Sequence, residues 1–171
     1  GYDVEKLRAD ACQKGYKGFN TGASVSLRLT NIHVRNTSLN VAGILPGRTH
    51  PEEAIVISAH WDHFGIGETE NGDSIYNGAV DNGTTMAWAF EIGEAFASLK
   101  QRPELSVILF FPTAEEQGLL GSSWFAANPP VSRGNLVACF NNDMLLPIGR
   151  MKDIMITGYG QSELDDMLAE A

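Results

Sequence analysis

The chain has few basic residues and few cysteines, and each shortage excludes a class of protein. It has 12 Lys and Arg residues against 21 Asp and Glu, and a net charge of −9. Because no Lys/Arg cluster offers a phosphate-binding surface, we expect no nucleic-acid partner. No apolar run approaches the roughly 18 residues of a membrane-spanning helix, and the first residues do not have the pattern of a signal peptide.

The two cysteines stand far apart and show no metal-ligand spacing. We therefore expect Cys12 and Cys139 to be ordinary thiols, although a disulfide between them stays open. The 171 residues are 43% hydrophobic and 19% charged, a composition typical of a globular chain with a real core. Since the chain opens at Gly1 without an initiator Met, we expect a processed or excised segment.

Short apolar runs alternate with helical patterns along the chain. Residues 54–59 and 105–111 are almost wholly apolar, which is typical of strands that are covered on both faces. The alternation predicts an α/β fold, a three-layer αβα sandwich with a mostly parallel central sheet. We predict strands at residues 25–29, 39–45, 54–59, 105–111, 136–141 and 154–157, and helices at 3–13, 82–99, 118–127 and from 162 onward.

Acidic and imidazole side chains follow several of these predicted strands. His60 follows 54–59, Glu115 and Glu116 follow 105–111, and Asp143 follows 136–141, while Asp81 precedes the long helix. The carboxyl ends of strands in an open α/β sheet form one rim, so these groups are expected to converge there. Imidazole nitrogens and carboxylate oxygens that converge from separate elements are typical ligands of zinc.

Each of these residues also has an ordinary structural interpretation. His60 and Asp62 can form a simple hydrogen bond, and Asp81 can cap the following helix. Glu115 and Glu116 can be first-turn acids that the helix dipole favours. Asp143 can be an ordinary turn residue. We expect His63 to be a loop histidine and not a ligand.

Four separated motifs together resemble the metal motifs of the secreted dinuclear zinc aminopeptidases, the family that also contains glutamate carboxypeptidase-like enzymes. The similarity runs from about residue 39 to 160, in the family's order. Residues 1–18 resemble, much more weakly, the tail of an inserted protease-associated domain, so we predict a boundary there, with the catalytic domain at 19–171. The motifs are Ser-Ala-His-Trp-Asp-His at 58–63, Ala-Val-Asp-Asn-Gly at 79–83, Thr-Ala-Glu-Glu-Gln-Gly-Leu-Leu-Gly-Ser at 113–122 and Asn-Asp-Met at 142–144.

The resemblance implies a role for each matching residue and an activity for the whole. It implies hydrolysis of a peptide bond at a chain end, most simply release of N-terminal residues by a water that two zinc ions activate, in a periplasmic or secreted enzyme. The implied roles are His60 and Asp143 on one zinc, Asp81 as the bridge, Glu116 on the second zinc, Glu115 as general base and Asp62 as the residue that orients His60.

One departure from the family concerns the second zinc. The family supplies a further histidine well downstream of the Asp143 motif, but the four histidines of this chain all precede Asp143. The second zinc would then have only Asp81 and Glu116. We therefore expect the N-terminal part of a catalytic domain, with its sheet incomplete at the C-terminus, a weak or empty second site and no activity by itself.

Two other functions are compatible with the same motifs. A single-zinc acyltransferase that resembles glutaminyl cyclases would use the same scaffold with one metal. A receptor-like module would keep the fold without chemistry, but a cluster of repelling acids has no physical reason to persist in such a protein. Cobalt or manganese can replace zinc at ligands of this type.

Overall fold

The computed structural model describes residues 1–170, which divide into two compact units, Gly1–Asn36 and a second unit that begins at Thr37. The first unit contains one helix, α1 (Val4–Ala11), as the sequence predicts. Asp3 caps this helix, because its carboxylate accepts a hydrogen bond from the Lys6 backbone N–H at 3.0 Å.

The strand predicted at residues 25–29 is wrong. These residues carry no regular secondary structure, and Val25, Leu27 and Leu29 are 91%, 74% and 79% exposed. Alternation of apolar and polar residues predicts a strand only where a partner strand and a core receive it, and within residues 1–36 the structure describes neither.

Among residues 37–170, the structure describes six strands and three helices. The strands are β1 Val41–Leu45, β2 His50–Ser58, β3 Gly65–Glu70, β4 Asp73–Tyr76, β5 Leu105–Phe111 and β6 Leu136–Asn141. The helices are α2 Gly83–Ser98, α3 Leu120–Ala127 and α4 Leu164–Glu170, with a short 3-10 turn at Arg133–Asn135.

A four-stranded sheet in the order β1-β5-β2-β6 forms the centre of this unit. Strands β5, β2 and β6 run parallel, with Val56 opposite both Ile108 and Cys139, and β1 is antiparallel to β5. This confirms the α/β fold with a mostly parallel sheet. The parallel direction brings the carboxyl ends of three strands to one edge.

Helices cover both faces of the sheet, as a three-layer sandwich requires. On one face, Ile57, Val107 and Phe111 pack against Ala89 and other apolar residues of α2. On the opposite face, Val56, Ile108 and Phe110 form a second cluster with Phe125 of α3, whose ring stacks on Phe110 at 4.0 Å between centroids. The continuous apolar runs of β2 and β5 are explained by this burial on both sides.

Two further differences separate the structure from the sequence predictions. Strands β3 and β4 form a hairpin that the sequence analysis did not predict, since its residues are largely polar and exposed. Residues 154–157 form no strand, and Met155 is 94% exposed. Within residues 1–170, none of the helices combines the length and apolar character that crossing a bilayer requires.

Candidate metal centre

The predicted site residues converge at the carboxyl edge of the sheet. His60 lies two residues beyond β2, Glu115 four beyond β5, and Asp143 two beyond β6. Asp81 enters from the loop before α2. The structure therefore brings together side chains that are separated by more than eighty positions in the sequence, as the strand pattern predicts.

His60 is the buried member of the site, with 3% of its surface exposed. Its Nδ1 lies 3.0 Å from the backbone carbonyl oxygen of Asp62 and 3.7 Å from the Asp62 carboxylate. A carbonyl oxygen can only accept, so it is the hydrogen-bond partner of an Nδ1–H. Nε2 is the ring nitrogen that faces the acids, on the side where a metal ion would be bound.

Three donor atoms surround one position, which we call the first cluster: His60, Asp81 and Asp143. Nε2 of His60 lies 3.1 Å from Asp81 Oδ1 and 3.5 Å from Asp143 Oδ1. Two ligands on a tetrahedral zinc, each about 2.0–2.2 Å from the ion, lie roughly 3.3 Å apart. His60 Nε2 and Asp81 Oδ1 are buried without a hydrogen-bond partner, so the donor set fits a cation between them.

The loop that carries Glu115 and Glu116 is held by a network around Asn40. The Asn40 side chain donates to the Gly121 carbonyl at 2.9 Å and accepts from the Thr113 N–H at 3.1 Å. Gly121 approaches so closely that a Cβ there would overlap the Thr113 carbonyl, which explains the glycine. Ala114 takes a left-handed backbone with φ 54°, a conformation that carries strain outside glycine and is typical of active-site loops.

Glu115 lies beside the first cluster without belonging to it. Its Oε2 is 3.9 Å from His60 Nε2, and its backbone N–H donates to Asp62 Oδ1 at 3.1 Å. Burial raises the pKa of Glu115 above its ordinary value; His60 opposes the increase, and the Asp143 carboxylate adds to it. A carboxylate with a raised pKa is suited to proton transfer near neutral pH.

The ordinary interpretations of these acids do not describe the structure. The N-cap of α2 is Asn82, so Asp81 is not the capping residue. Helix α3 begins at Leu120 and has no acid in its first turn, so Glu115 and Glu116 are not first-turn acids. Asn82 instead connects two site loops, because its side chain donates to the Asn142 carbonyl at 3.4 Å.

His63 lies in a loop, as the sequence analysis expected, but it also contacts one of the candidate site residues. Its Nδ1 lies 2.5 Å from Glu116 Oε1, and the two side chains are only 21% and 12% exposed. His63, Asp81 and Glu116 form a second group of donor atoms within 4.8 Å of one another, the second cluster. The available signal was the His-x-x-His spacing of 60 and 63 in one short loop, which the search for strand-end ligands did not weigh.

A buried imidazole and several carboxylates, gathered where parallel strands end, define the class: an α/β protein with a candidate metal centre built on separate loops. The family follows from comparison with known proteins. The model of peptidase family M28 matches residues 40–171, and the chain belongs to that family. The match includes every residue of both clusters, and it confirms the resemblance to the zinc aminopeptidase family.

The names of individual relatives state different activities. The chain is 30% identical to a probable zinc metalloprotease of Pyricularia oryzae, over 62% of this chain and 20% of that protein. It is 30% identical to mouse carboxypeptidase Q over 66% of this chain and 22% of that protein, and 32% identical to mouse aminopeptidase NAALADL1 over 63% and 13%. The chain thus spans about a fifth or less of the length of these relatives.

A solved structure agrees with the fold. The M28 peptidase precursor of Shewanella amazonensis superposes with a TM-score of 0.50 at 26% identity, over 61% of this chain and 22% of that one. It supports the mostly parallel sheet described above.

Proposed function

We propose that this chain supplies the metal centre of a zinc exopeptidase that releases N-terminal residues, with two metal ions that share Asp81. The observation that carries this proposal is the arrangement of the first cluster, in which buried, unpaired donor atoms of His60 and Asp81 stand next to the free carboxylate of Glu115. A metal-ligand set beside a separate base is the combination that hydrolysis by activated water needs.

Each residue would then have a distinct task. His60, Asp81 and Asp143 would hold one zinc, and Asp81 and Glu116 would contribute to the other. Zinc bound in these positions lowers the pKa of a coordinated water and polarises a carbonyl. Glu115, whose carboxylate stands beside the first cluster, would serve as the base for the attacking water and would pass the proton to the leaving amine.

The contacts of Asp62 differ from the role that the sequence analysis gave it. We expected its carboxylate to orient His60, but the carboxylate accepts the Glu115 N–H while the Asp62 carbonyl faces His60. One residue therefore positions both the ligand and the base, by two different groups. We infer that Asp62 is a positioning residue in the proposed reaction.

An open cleft beside the centre has room for the end of a peptide. It measures about 460 Å³ and borders the metal centre at Asp62, His63 and Asn82, with Tyr76 and Met86 on its other walls. The mixed polar and apolar lining is compatible with a peptide substrate. Export from the cytoplasm is part of the proposal, on the resemblance alone.

The test is hydrolysis by the zinc-loaded protein, run on the 171-residue chain and on any longer protein that contains it. Aminoacyl anilides report release from an N-terminus, and N-acylated dipeptides report release from a free C-terminus. We expect the longer protein to cleave the first class and the 171-residue chain by itself to show no turnover. In the longer protein, Glu115→Gln should lower the rate about 10²- to 10⁴-fold without changing the zinc content. Cleavage of the C-terminal substrates alone would assign a carboxypeptidase instead.

The single-zinc acyltransferase is separated from this proposal by metal content. Calorimetry that finds one zinc per chain, bound by His60, together with cyclisation of an N-terminal glutamine, would favour the acyltransferase. Unchanged hydrolysis in Glu115→Gln would contradict the role of Glu115 as base.

A further inference from the structure

The hairpin of β3 and β4 forms one wall of the open cleft beside the candidate metal centre. Gly65 begins β3 and Tyr76 ends β4; the two residues lie opposite each other in the antiparallel pair, and both line the cleft. Other walls come from Trp61, which follows β2, and from Met86 in the first turn of α2. Two aromatic rings and a thioether therefore border a space of about 460 Å³.

The two aromatic side chains of the cleft are held in place by their neighbours. Nε1 of Trp61 donates to the Leu39 carbonyl at 3.1 Å. The Tyr76 ring packs edge-on against the Phe64 ring at 6.0 Å between centroids, and it lies against Gly67, where a Cβ would stand 2.6 Å from Tyr76 Cε2. Rings that are already fixed lose little conformational freedom when a ligand binds to them.

Three glycines keep the remaining part of the cleft open: Gly65, Gly78 and Gly83. Gly78 has a φ of +66°, and a Cβ there would stand 2.8 Å from the Asp81 carbonyl oxygen. Gly83 donates its backbone N–H to the Gly78 carbonyl at 2.9 Å. Because these three positions have no side chain, the space between the aromatic rings and α2 is left for a ligand.

The carboxylate and the imidazole on the cleft wall already have partners within the protein. The Asp62 carboxylate accepts the Glu115 N–H at 3.1 Å, and His63 Nδ1 lies 2.5 Å from Glu116 Oε1. Among the described residues, the lining contains no lysine or arginine. A charged side chain that entered the cleft would lose water without gaining a free ion-pair partner, and this loss disfavours it.

We propose that the cleft receives the apolar side chain of a residue that adjoins the scissile bond, and that Trp61, Tyr76 and Met86 determine this specificity. The inference rests on the proposed function, because it names the substrate class of the same site. The cleft and the metal centre share Asp62 and His63, so a side chain bound there lies beside the candidate catalytic groups. Aromatic and thioether surfaces favour burial of leucine, methionine or phenylalanine side chains.

The experiment is equilibrium binding of tripeptides to the 171-residue chain with zinc present, measured by calorimetry. Leu-Gly-Gly, Phe-Gly-Gly, Asp-Gly-Gly, Lys-Gly-Gly and Gly-Gly-Gly share their terminal charges and differ only in the first side chain, and Gly-Leu-Gly tests the second position. We expect at least one leucine peptide to bind about 10-fold more tightly than Gly-Gly-Gly. This is the low end of what one methylene group contributes in a hydrophobic pocket, because the cleft is open.

Substitutions in two separate walls test the assignment. Tyr76→Ala should remove most of the preference for leucine over glycine, whereas Tyr76→Phe should keep it because the ring remains. Met86→Ala should also lower the preference, and it leaves the hairpin untouched. Ile75→Ala is the matched control, since Ile75 precedes Tyr76 in β4, is 56% exposed and does not line the cleft.

Circular dichroism and zinc content establish that each variant is folded and has an unchanged metal centre. An unchanged preference in both Tyr76→Ala and Met86→Ala would overturn the inference. Equal affinities for all the peptides, or tightest binding of the aspartate or lysine peptide, would overturn it as well.

The failure of this inference is distinguishable from the failure of the proposed function, because binding requires no turnover. Hydrolysis by the longer protein together with equal peptide affinities would overturn the role of the cleft and leave the proposed function intact. A leucine preference that Tyr76→Ala removes, in a protein that cleaves none of the substrates, would overturn the proposed function and keep the cleft as a site for apolar side chains.

Discussion

The two clusters share Asp81 but are built from different parts of the fold. The first cluster joins residues that follow β2 and β6, and its imidazole, His60, is 3% exposed. The second joins the loop after β2 to the loop after β5, and its imidazole is 21% exposed. The first is fixed by strand pairing, because Ser58 lies opposite Asn141 in the parallel ladder. The second depends on loop contacts.

Asp81 therefore links two sites that are held in different ways. Strand pairing fixes the ligands of the first cluster, whereas loop contacts hold those of the second cluster. His60 already stands at distances of 3.1 and 3.5 Å from its partner oxygens, close to the separation of two ligands on one zinc. His63 Nδ1 and Glu116 Oε1 are instead hydrogen-bonded to each other at 2.5 Å. We therefore expect the first cluster to fill before the second.

The largest effect should come from removing the shared ligand. Asp81→Ala takes one donor from each cluster, so zinc binding should fall from two equivalents to none. Zinc at a hundred times its Kd stabilises a one-site protein by about 2.7 kcal/mol, and the variant should lose this gain in a thermal melt. Glu91→Ala, an exposed acid on α2, is the control. A variant that retains one tight equivalent would show that the clusters are independent.

Removing one unshared acid from each cluster should have about half that effect. Asp143→Asn should lose the first equivalent and Glu116→Gln the second, each with the other retained. Adding His60→Ala to Asp143→Asn should cost nothing further in stoichiometry, because both residues belong to one site. Adding Glu116→Gln to Asp143→Asn should abolish binding, because each cluster then lacks a ligand. Calorimetry on the four variants checks this assignment, and a loss of both metals in either single variant would refute it.

Removing the Asp62 carboxylate should weaken the first cluster only slightly. Loss of an outer-shell group costs about 10- to 100-fold in metal affinity, and Asp62→Ala should fall at the low end because the backbone carbonyl still faces His60. Hydrolysis should fall further than affinity, since the Glu115 N–H loses its acceptor. Asp73→Ala is matched, as Asp73 also accepts a backbone N–H, from Ile75 at 2.9 Å. A 100-fold loss of affinity would instead make the carboxylate the main support of His60.

The smallest expected effect is a difference in alkylation rate between the thiols of Cys12 and Cys139. It tests the environment of Cys139 in β6, the strand that leads to Asp143. Cys139 keeps an exposed surface, but the atoms packed around its thiol desolvate it and raise the pKa of Cys139 above its ordinary value. A raised pKa leaves less thiolate at any pH below it, so Cys139 should be alkylated more slowly than Cys12, and the gap should close as the pH rises above the pKa of Cys139. Mass spectrometry of Cys12→Ser and Cys139→Ser measures both rates. Equal rates at every pH would contradict this environment for Cys139.

The central sheet could be predicted because its strands have a local signature. Residues 105–111 form β5 with the predicted bounds, because a continuous apolar run fits a strand that is covered on both faces. Residues 136–141 form β6 with the predicted bounds at the edge of the sheet, where most of the strand is exposed. The hairpin of β3 and β4 lacked such a signature. Residues 25–29 have the alternating pattern of a strand, but within residues 1–36 the structure describes no strand that could pair with them. The local pattern therefore predicted a strand that does not form.

The sequence by itself determined the fold class and the chemical nature of the centre, because strand period and residue type are local properties of the chain. It placed His60, Glu115, Glu116 and Asp143 after strands that a parallel sheet brings to one edge, and Asp81 in the loop before the long helix. Only the tertiary structure decided that the Asp62 carbonyl faces His60 and that His63 reaches Glu116. Those contacts depend on the path of irregular loops, which no periodicity encodes.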